Sequence, residues 1–378
     1  MLDFYQRREE EATESVRTLL EDLRSEAQRA NWTFEVGYTT ALESDIRDIT
    51  GFIEPDNLEE LMIKQNSTSR LLPITESLAL GIGSIFDSQF NWKGYGGVTP
   101  VKNQSGCGSC STFACHGAFE GSLSVRSKMI LATSEQASLD CSNISSCKGS
   151  SWIFDYLVDK GASIEVDYPY IATQGQCRTD VLRPFKVTNW GYVTDNDTVP
   201  GTTELKQALL DHGPLAVAVR ATDAFAAYVS GVFNEQDNRS VNHAVTLVGW
   251  DDSRNAWLIK NSWGSGWGEE GFMWIRYNSN RIGKSAAWCD VVISLPLVFV
   301  HKNYKGDCKA LDIGRYDWDQ INSWKWNDII SSAKVPPGWR LSLFEHTGFQ
   351  GEKRILTTDI NALPGFDNRT SSIIVERV

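Results

Sequence analysis

Gln104-Ser-Gly-Cys107-Gly-Ser-Cys110 is followed 133 residues later by His243 and then by Asn261. If these groups act together, the fold must bring a thiol from one half of the chain against an imidazole from the other. A thiol attacks as the thiolate. A cysteine at a helix start beside an imidazole has its pKa lowered from about 8.5 to roughly 3–4 in the strongest cases. The run after Cys110, STFACHGAFEGSL, reads as a helix with Phe113, Ala114, Ala118 and Leu123 on one side. Gly106 and Gly108 permit a sharp turn that sets Cys110 on that helix's N-terminus, where the dipole favours S⁻. Alone, Cys-Gly-Ser-Cys also fits a disulfide or metal fragment. Gln104, His243 and Asn261 in this context point to a cysteine hydrolase.

The segment around Cys110 is helical in pattern, whereas from about Lys186 strand-like runs dominate: Leu215 to Arg220, Ala244 to Gly249, Trp257 to Lys260 and Phe272 to Tyr277. A helical half against a β-rich half predicts a cleft with Cys110 on one wall and His243 on the other, a usual home for a substrate site. Upstream, Phe4 to Ala30 carries Ala12, Val16, Leu19, Leu20, Leu23 and Ala27 at helical spacing. A second helix is expected from Thr40 to Ile49, a break at Gly51 to Pro55, and a further turn over Asn57 to Ile63.

Val98 to Cys110, VTPVKNQSGCGSC, resembles the active-site segment of the papain-like cysteine peptidases. Val241-Asn-His243-Ala-Val, Asn261-Ser-Trp-Gly-Ser-Gly-Trp-Gly268, Ser134-Glu-Gln-Ala-Ser-Leu-Asp-Cys141 and Asp167-Tyr-Pro-Tyr170 are similar to the family's other landmarks, in order, from about Phe86 to Pro296. The resemblance implies a two-lobed α+β fold. It divides the chain into a helical propeptide (residues 1–85), a peptidase unit (86–296) and a C-terminal unit (297–378).

It implies roles as well. His243 holds Cys110 as a thiolate–imidazolium pair and later protonates the leaving amine. Asn261 accepts from the other ring N–H. The Gln104 amide and the Cys110 backbone N–H point at the oxyanion, worth about 2.7–4 kcal/mol per donor in the best-studied case. Trp263 covers the His–Asn bond, and Trp267 is packing. Two departures stand out. Ser111 replaces the family's Trp after the nucleophile, and Gly149-Ser150 replaces a glycine pair, so weaker main-chain pairing to substrate is expected there. Ser285 to Pro296 is similar to a cathepsin B segment carrying an acid at the floor of the main specificity pocket. Asp290 falls on that acid, which implies acceptance of Arg or Lys second before the cut. No occluding His-His loop is visible, which implies an endopeptidase.

The resemblance pairs Cys107 with Cys147 and Cys141 with Cys177. Cys110 stays free, and Cys115, Cys289 and Cys308 allow at most one further bridge. Disulfides and seven Asn-X-Ser/Thr acceptors (Asn31, Asn66, Asn103, Asn143, Asn196, Asn238, Asn368) fit a secreted or endolysosomal protein. The opening MLDFYQRREEE has no apolar core of a signal peptide, and no run of 18 apolar residues is present. Residues 1–85 hold 17 Asp/Glu against 8 Lys/Arg within a whole-chain net of −12. That charge opposes nucleic-acid binding. It also fits either a solvated helix surface or an inhibitor whose carboxylate pairs with the enzyme are released by acid.

Downstream of Pro296, Phe299-x4-Tyr304-x-Gly306 and Phe344-x4-Phe349-x-Gly351 repeat at 45 residues, and Asn327-Asp-Ile-Ile-Ser-Ser332 and Asp367-Asn-Arg-Thr-Ser-Ser372 at 40. The pattern resembles an all-β βγ-crystallin-type unit of two Greek-key motifs in its calcium-binding version. Oxygen-only donors suit Ca²⁺. Asp328, Ser331, Asn368 and Ser371 are the expected side-chain ligands. Asn327 and Asp367 shape the loops, and Ile329 and Arg369 offer carbonyls. Ca²⁺ would stabilise this unit, which could tether the chain to matrix or glycan. Expected partners are protein or peptide substrates and the chain's own propeptide. Two other functions fit the sequence: a non-enzymatic binding protein on an inactive peptidase scaffold, and a transferase using the same acyl-enzyme.

Overall fold

The computed structural model describes residues 2–71 and 82–378. The expected propeptide, residues 1–85, therefore includes residues 1 and 72–81, which lie outside the described residues. The helix expected over Phe4 to Ala30 is two helices, Leu2–Glu10 (α1) and Glu14–Ala30 (α2). Thr13 starts the second, its hydroxyl accepting from the Val16 N–H, and Asn31 ends it in the left-handed region. The expected stripe buries Leu20 and Leu23.

Strand β1 (Thr33–Val36) follows, then a 3₁₀ turn at Thr40–Glu43, helix α3 (Ile46–Ile49) and helix α4 (Leu58–Leu71). The last is longer than the single turn expected there. Four residues are too few for an alternating pattern to be read in sequence, so β1 was not anticipated. It pairs antiparallel with Tyr228–Val232.

Helix α5 (Cys110–Ser127) is buried along most of its length, as a central helix must be. Around it run β2 (Gln89–Asn91), α6 (Glu135–Cys141), α7 (Phe154–Asp159), β3 (Phe185–Tyr192), α8 (Thr202–His212), β4 (Leu215–Val219), β5 (Tyr228–Phe233), β6 (His243–Asp251), β7 (Ala256–Lys260), β8 (Phe272–Arg276) and β9 (Lys284–Ile293). The four strands expected in the second half are β4, β6, β7 and β8. These strands form one sheet in the order β1-β5-β8-β7-β6-β4-β9-β3, with β2 added on β6. One apolar cluster gathers Leu20, Phe34, Trp250, Trp257 and Met273 on the sheet side. A second gathers Phe52, Phe119, Phe154, Trp152 and Trp190 around α5. Residues 1–71 contribute to both.

Residues 297–377 make two further sheets. One has the order β11-β10-β13 (Lys305–Ala310, Leu297–His301, Ser332–Lys334). The other has the order β12-β16-β14-β15 (Gly314–Tyr316, Ser372–Arg377, Trp339–His346, Gln350–Leu356). The two repeats match in detail. The Phe299–Tyr304 and Phe344–Phe349 rings are each 5.8 Å apart and edge-on. Ser332 Oγ donates to the His301 carbonyl at 2.6 Å and Ser372 Oγ to the His346 carbonyl at 2.7 Å. Gly306 and Gly351 both have positive φ, with a histidine where a Cβ would lie. The two repeats are also joined by backbone: β12 pairs with β16, and Ile360 makes a single bridge to Ala333.

Candidate active site

Cys110 opens α5 and is fully buried. His243 opens β6, and the N–H of the next residue, Ala244, meets the Cys110 thiol. The imidazole is fixed on three sides. Its Nε2 donates to Asn261 Oδ1 at 2.8 Å, and that oxygen also accepts the Ser262 N–H at 2.8 Å, which sets the amide's orientation. The Trp263 ring stacks on His243 at 4.5 Å, and Phe225 meets it edge-on. With Nε2 carrying the hydrogen, Nδ1 is the nitrogen left to take a proton; it is buried and has no hydrogen-bond partner. Trp267 donates to the Phe225 carbonyl and packs, as expected.

The cleft holds part of the chain itself. Ile49 to Ile53 runs over Cys110, and its main chain uses the groups expected to bind substrate. The Ile49 carbonyl accepts from Gln104 Nε2 at 3.2 Å and from Trp263 Nε1 at 3.1 Å. The Gly51 carbonyl accepts from Ser150 N at 2.9 Å, and Ile53 N donates back to the Ser150 carbonyl at 3.0 Å. Phe52 N donates to the Asn242 carbonyl, and the Phe52 ring lies 4.6 Å from that of Trp152. The pairing of Phe52 with Ser150 is parallel. The approach is close enough to demand glycines: a Cβ on Gly51 would lie 1.9 Å from the Gly108 oxygen, and one on Gly149 2.4 Å from the Gly51 oxygen.

For the occluded chain, burial opposes the charged forms of both reacting groups. Burial pushes the Cys110 thiol up to about 11, although the N–H groups of Ala244 and Gly51 favour the anion. Burial likewise pushes His243 down to about 4, partly offset by the bond to Asn261. Both groups are therefore neutral near pH 7 while residues 49–53 stay in place.

One neighbour was not picked out in sequence. Ser262 Oγ donates to Gln104 Oε1 at 2.6 Å, so that one serine orients both Gln104 and, through its N–H, Asn261. Ser111, in place of the family's tryptophan, donates to the Ser150 carbonyl at 2.7 Å. It braces the strand edge, and both main-chain groups of Ser150 are engaged by residues 51–53. Below the cleft, Lys102 bridges Glu120 at 3.0 Å and Glu135 at 2.7 Å.

Asp290 is not in the cleft. It pairs with Arg126 and lies 3.0 Å from His212 Nδ1. Arg126 is sixteen residues beyond Cys110 on the same helix, about 24 Å at 1.5 Å per residue. Asp290 instead lines a cavity of about 920 Å³ shared with Lys334, Pro336 and Asp359 of the C-terminal unit. Asp290 misses the position that the resemblance implies because β9 carries a bulge, with Ser285 at φ 53, that shifts which side chains face the cleft.

Cys107–Cys147 and Cys141–Cys177 are disulfides, while Cys110, Cys115, Cys289 and Cys308 are free and buried. Cys107–Cys147 ties the loop before α5 to the loop carrying Gly149.

In the C-terminal unit the candidate ligands converge in a crossed pair. Ser371 Oγ lies 3.3 Å from Asp328 Oδ1 and Ser331 Oγ 3.2 Å from Asn368 Oδ1. Asp328 and Asn368 both take left-handed backbone, at φ 55 and 57. Asn327 Oδ1 and Asp367 Oδ1 are buried without hydrogen-bond partners. Lys302 pairs with the other Asp367 oxygen at 3.0 Å. The Arg369 guanidinium is turned to Glu345 and Glu352, which leaves its carbonyl as the only group it can offer. No structural contact singles out Ile329.

Residues 86–292 match the papain family cysteine protease family, and the chain belongs to it. Fruit bromelain of Ananas comosus is 31% identical over 56% of this chain, and pro-cathepsin H of Mus musculus 35% identical over 53%. The chain spans 60% and 63% of those two proteins. Among solved structures, digestive procathepsin L2 proteinase of Tenebrio molitor larval midgut aligns with a TM-score of 0.59 at 27% identity. That alignment covers 73% of this chain and 90% of that one, more of this chain than residues 86–292 account for. Among the described residues no helix is long and apolar enough to cross a membrane.

Proposed function

We propose that the chain is the zymogen of a thiol endopeptidase acting on protein or peptide substrates. Residues 86–296 form the peptidase and residues 1–85 its inhibitory propeptide. The observation that carries this reading is the occupation of Gln104 Nε2, Trp263 Nε1 and both Ser150 main-chain groups by the carbonyls and N–H groups of residues 49–53, directly over Cys110. Those donors wait for a peptide and are held by one.

Once residues 49–53 leave, water and substrate reach the site, and the burial that keeps both groups neutral is relieved. The Cys110 proton passes to His243 Nδ1, the nitrogen that Asn261 leaves free. The thiolate attacks the scissile carbonyl, whose oxygen takes the place of the Ile49 carbonyl at Gln104 and the Cys110 N–H. Imidazolium then protonates the leaving amine, and water releases the acyl group from sulfur. The parallel pairing at Ser150 and the neutral thiol both oppose cleavage of the propeptide itself. The two disulfides support secretion or endolysosomal residence.

The crossed pairs in residues 297–378, with all-oxygen donors and two buried orphan oxygens, support a βγ-crystallin-type Greek-key unit that binds Ca²⁺. Asp328, Ser331, Asn368 and Ser371 would be its side-chain ligands, beside Asn327 and Asp367, with carbonyls from Ile329 and Arg369. Calcium there would tie the two repeats together.

An epoxide thiol inhibitor applied to acid-treated protein tests the peptidase reading. The adduct is expected on Cys110 and is expected to be lost in His243→Ala. Labelling of Cys110 that is indifferent to His243 would leave an inactive scaffold.

A further inference from the structure

Lys284 has no role in the reaction above, yet it is a fully buried lysine at the edge of the cleft. It is the cross-strand partner of Ala218 and so shares that residue's face of the sheet. Ala218 belongs to the same apolar cluster as Phe52, Trp152 and Ala244. The residue after Lys284 borders the Phe52 pocket directly, because the Ser285 carbonyl accepts the Trp152 indole N–H at 2.9 Å.

The ammonium has three oxygens around it. Its Nζ donates to the Asp197 carbonyl at 2.9 Å, pairs with the Asp197 carboxylate, and lies 3.3 Å from Glu54 Oε1. Glu54 follows the occluding stretch by one residue and, two residues beyond Phe52, points to the same side of an extended chain. Its Oε1 is buried and makes no hydrogen bond among the described residues, and the cation it faces there is Lys284. Other carboxylates of residues 2–71 pair within their own segment, as Glu9 does with Arg24 and Glu43 with Arg8.

When residues 49–55 leave, Glu54 leaves with them. Lys284 keeps Asp197, whose side chain is half exposed, and gains an open side toward the groove. A buried cation stripped of one of two counterions is poorly solvated, and a carboxylate entering at that point restores the arrangement.

We propose that Lys284 is a specificity-determining residue of the cleft, selecting peptides with an acidic side chain near the residue that pairs with Ser150 and fills the Phe52 pocket. This rests on the peptidase reading. It runs opposite to the basic preference implied by Asp290, which lies too far away to act.

The test is a set of peptides keeping an aromatic residue for the Phe52 pocket, with Glu or Gln placed in turn at each of the other three positions among the four before the cut, and one further pair with Glu or Gln in place of the aromatic. These are assayed with the acid-activated full chain. At one position Glu is expected to exceed Gln in kcat/KM by about fivefold or more. Lys284→Met is expected to bring that ratio to one while leaving the Gln peptides within about twofold. Should Lys284→Met fail to fold, Asp197→Asn removes the competing carboxylate and is expected to raise the Glu/Gln ratio. Equal rates for Glu and Gln at every position in the unsubstituted enzyme, or a ratio unmoved by these variants, overturns the proposal. Turnover of the Gln peptides reports the peptidase activity separately, so a dead enzyme and a wrong specificity give different results.

Discussion

The cleft and the C-terminal loops treat their polar groups in opposite ways. In the cleft, Gln104, Trp263 and Ser150 are donors and acceptors aimed at a peptide, and residues 49–53 already satisfy them. In the C-terminal unit, Asn327 Oδ1 and Asp367 Oδ1 are oxygens buried without a donor. A site completed by its own backbone is silent until that backbone moves. A site with orphan oxygens, if it is the calcium site proposed above, is silent until a cation arrives. The first is governed by what can be removed, the second by what can be added.

The largest expected effect lies at the reacting groups. Cys110→Ala or His243→Ala should lower kcat of the activated enzyme on the order of a millionfold, the scale found when a nucleophile or its base is removed from a hydrolase triad. Asn261→Ala should cost less, since it orients the ring without accepting the proton from sulfur. Steady-state kinetics on one peptide ranks the three. Equal losses for Asn261 and His243 would contradict the division of roles.

Next comes the occluding strand. Because a Cβ on Gly51 would lie 1.9 Å from a backbone oxygen, Gly51→Ala cannot keep the present path. Epoxide labelling of the unprocessed chain at pH 7 is expected to rise by tenfold or more. An unchanged rate would mean that the strand does not control access to sulfur.

The catalytic constellation was legible in sequence because each member sits in a distinctive local run. Fixed geometry needs fixed neighbours, and Gln104-Ser-Gly-Cys-Gly-Ser-Cys110 and Asn261-Ser-Trp are such neighbours. Strands β4, β6, β7 and β8 were legible from continuous apolar runs. What fills the cleft was not. Ile49 to Ile53 acts through its backbone, which every sequence has, and only Gly51 hinted at a close approach. Asp290 was misread because a bulge at Ser285 moves side chains by one face without leaving a mark in composition. Lys284 could have been noticed as a charge inside the apolar run that follows Gly283. In the C-terminal unit the repeat itself was the signal, and the matched rings and serine bonds of the two halves reproduce it.

A smaller effect is expected from the added cation. If Ca²⁺ binds the native loops alone, a hundredfold excess over Kd adds about 2.7 kcal/mol to the stability of that unit, a shift of several degrees for a unit of this size. Calorimetry of the full chain with millimolar Ca²⁺ and with chelator measures it. Asp328→Ala together with Asn368→Ala should erase the difference. A shift that survives both substitutions would move the site elsewhere.

The least effect on catalysis is expected at Asp290, and it separates the two regions most cleanly. Asp290 neutralises Arg126 and faces His212, which stacks on Trp288 at 3.8 Å. Removing the carboxylate leaves Arg126, largely buried, without that partner, which costs about 1–3 kcal/mol. The cost falls on the seam between the peptidase and the C-terminal unit, where the cavity beside Lys334 and Asp359 would open. Asp290→Ala should therefore lower the melting temperature while the ratio of kcat/KM for Arg and Phe, second before the cut, stays within about twofold. A changed ratio with unchanged melting would return Asp290 to the specificity pocket. It would require the C-terminal end of α5 to lie beside Cys110, which a single straight helix from Cys110 to Ser127 does not allow.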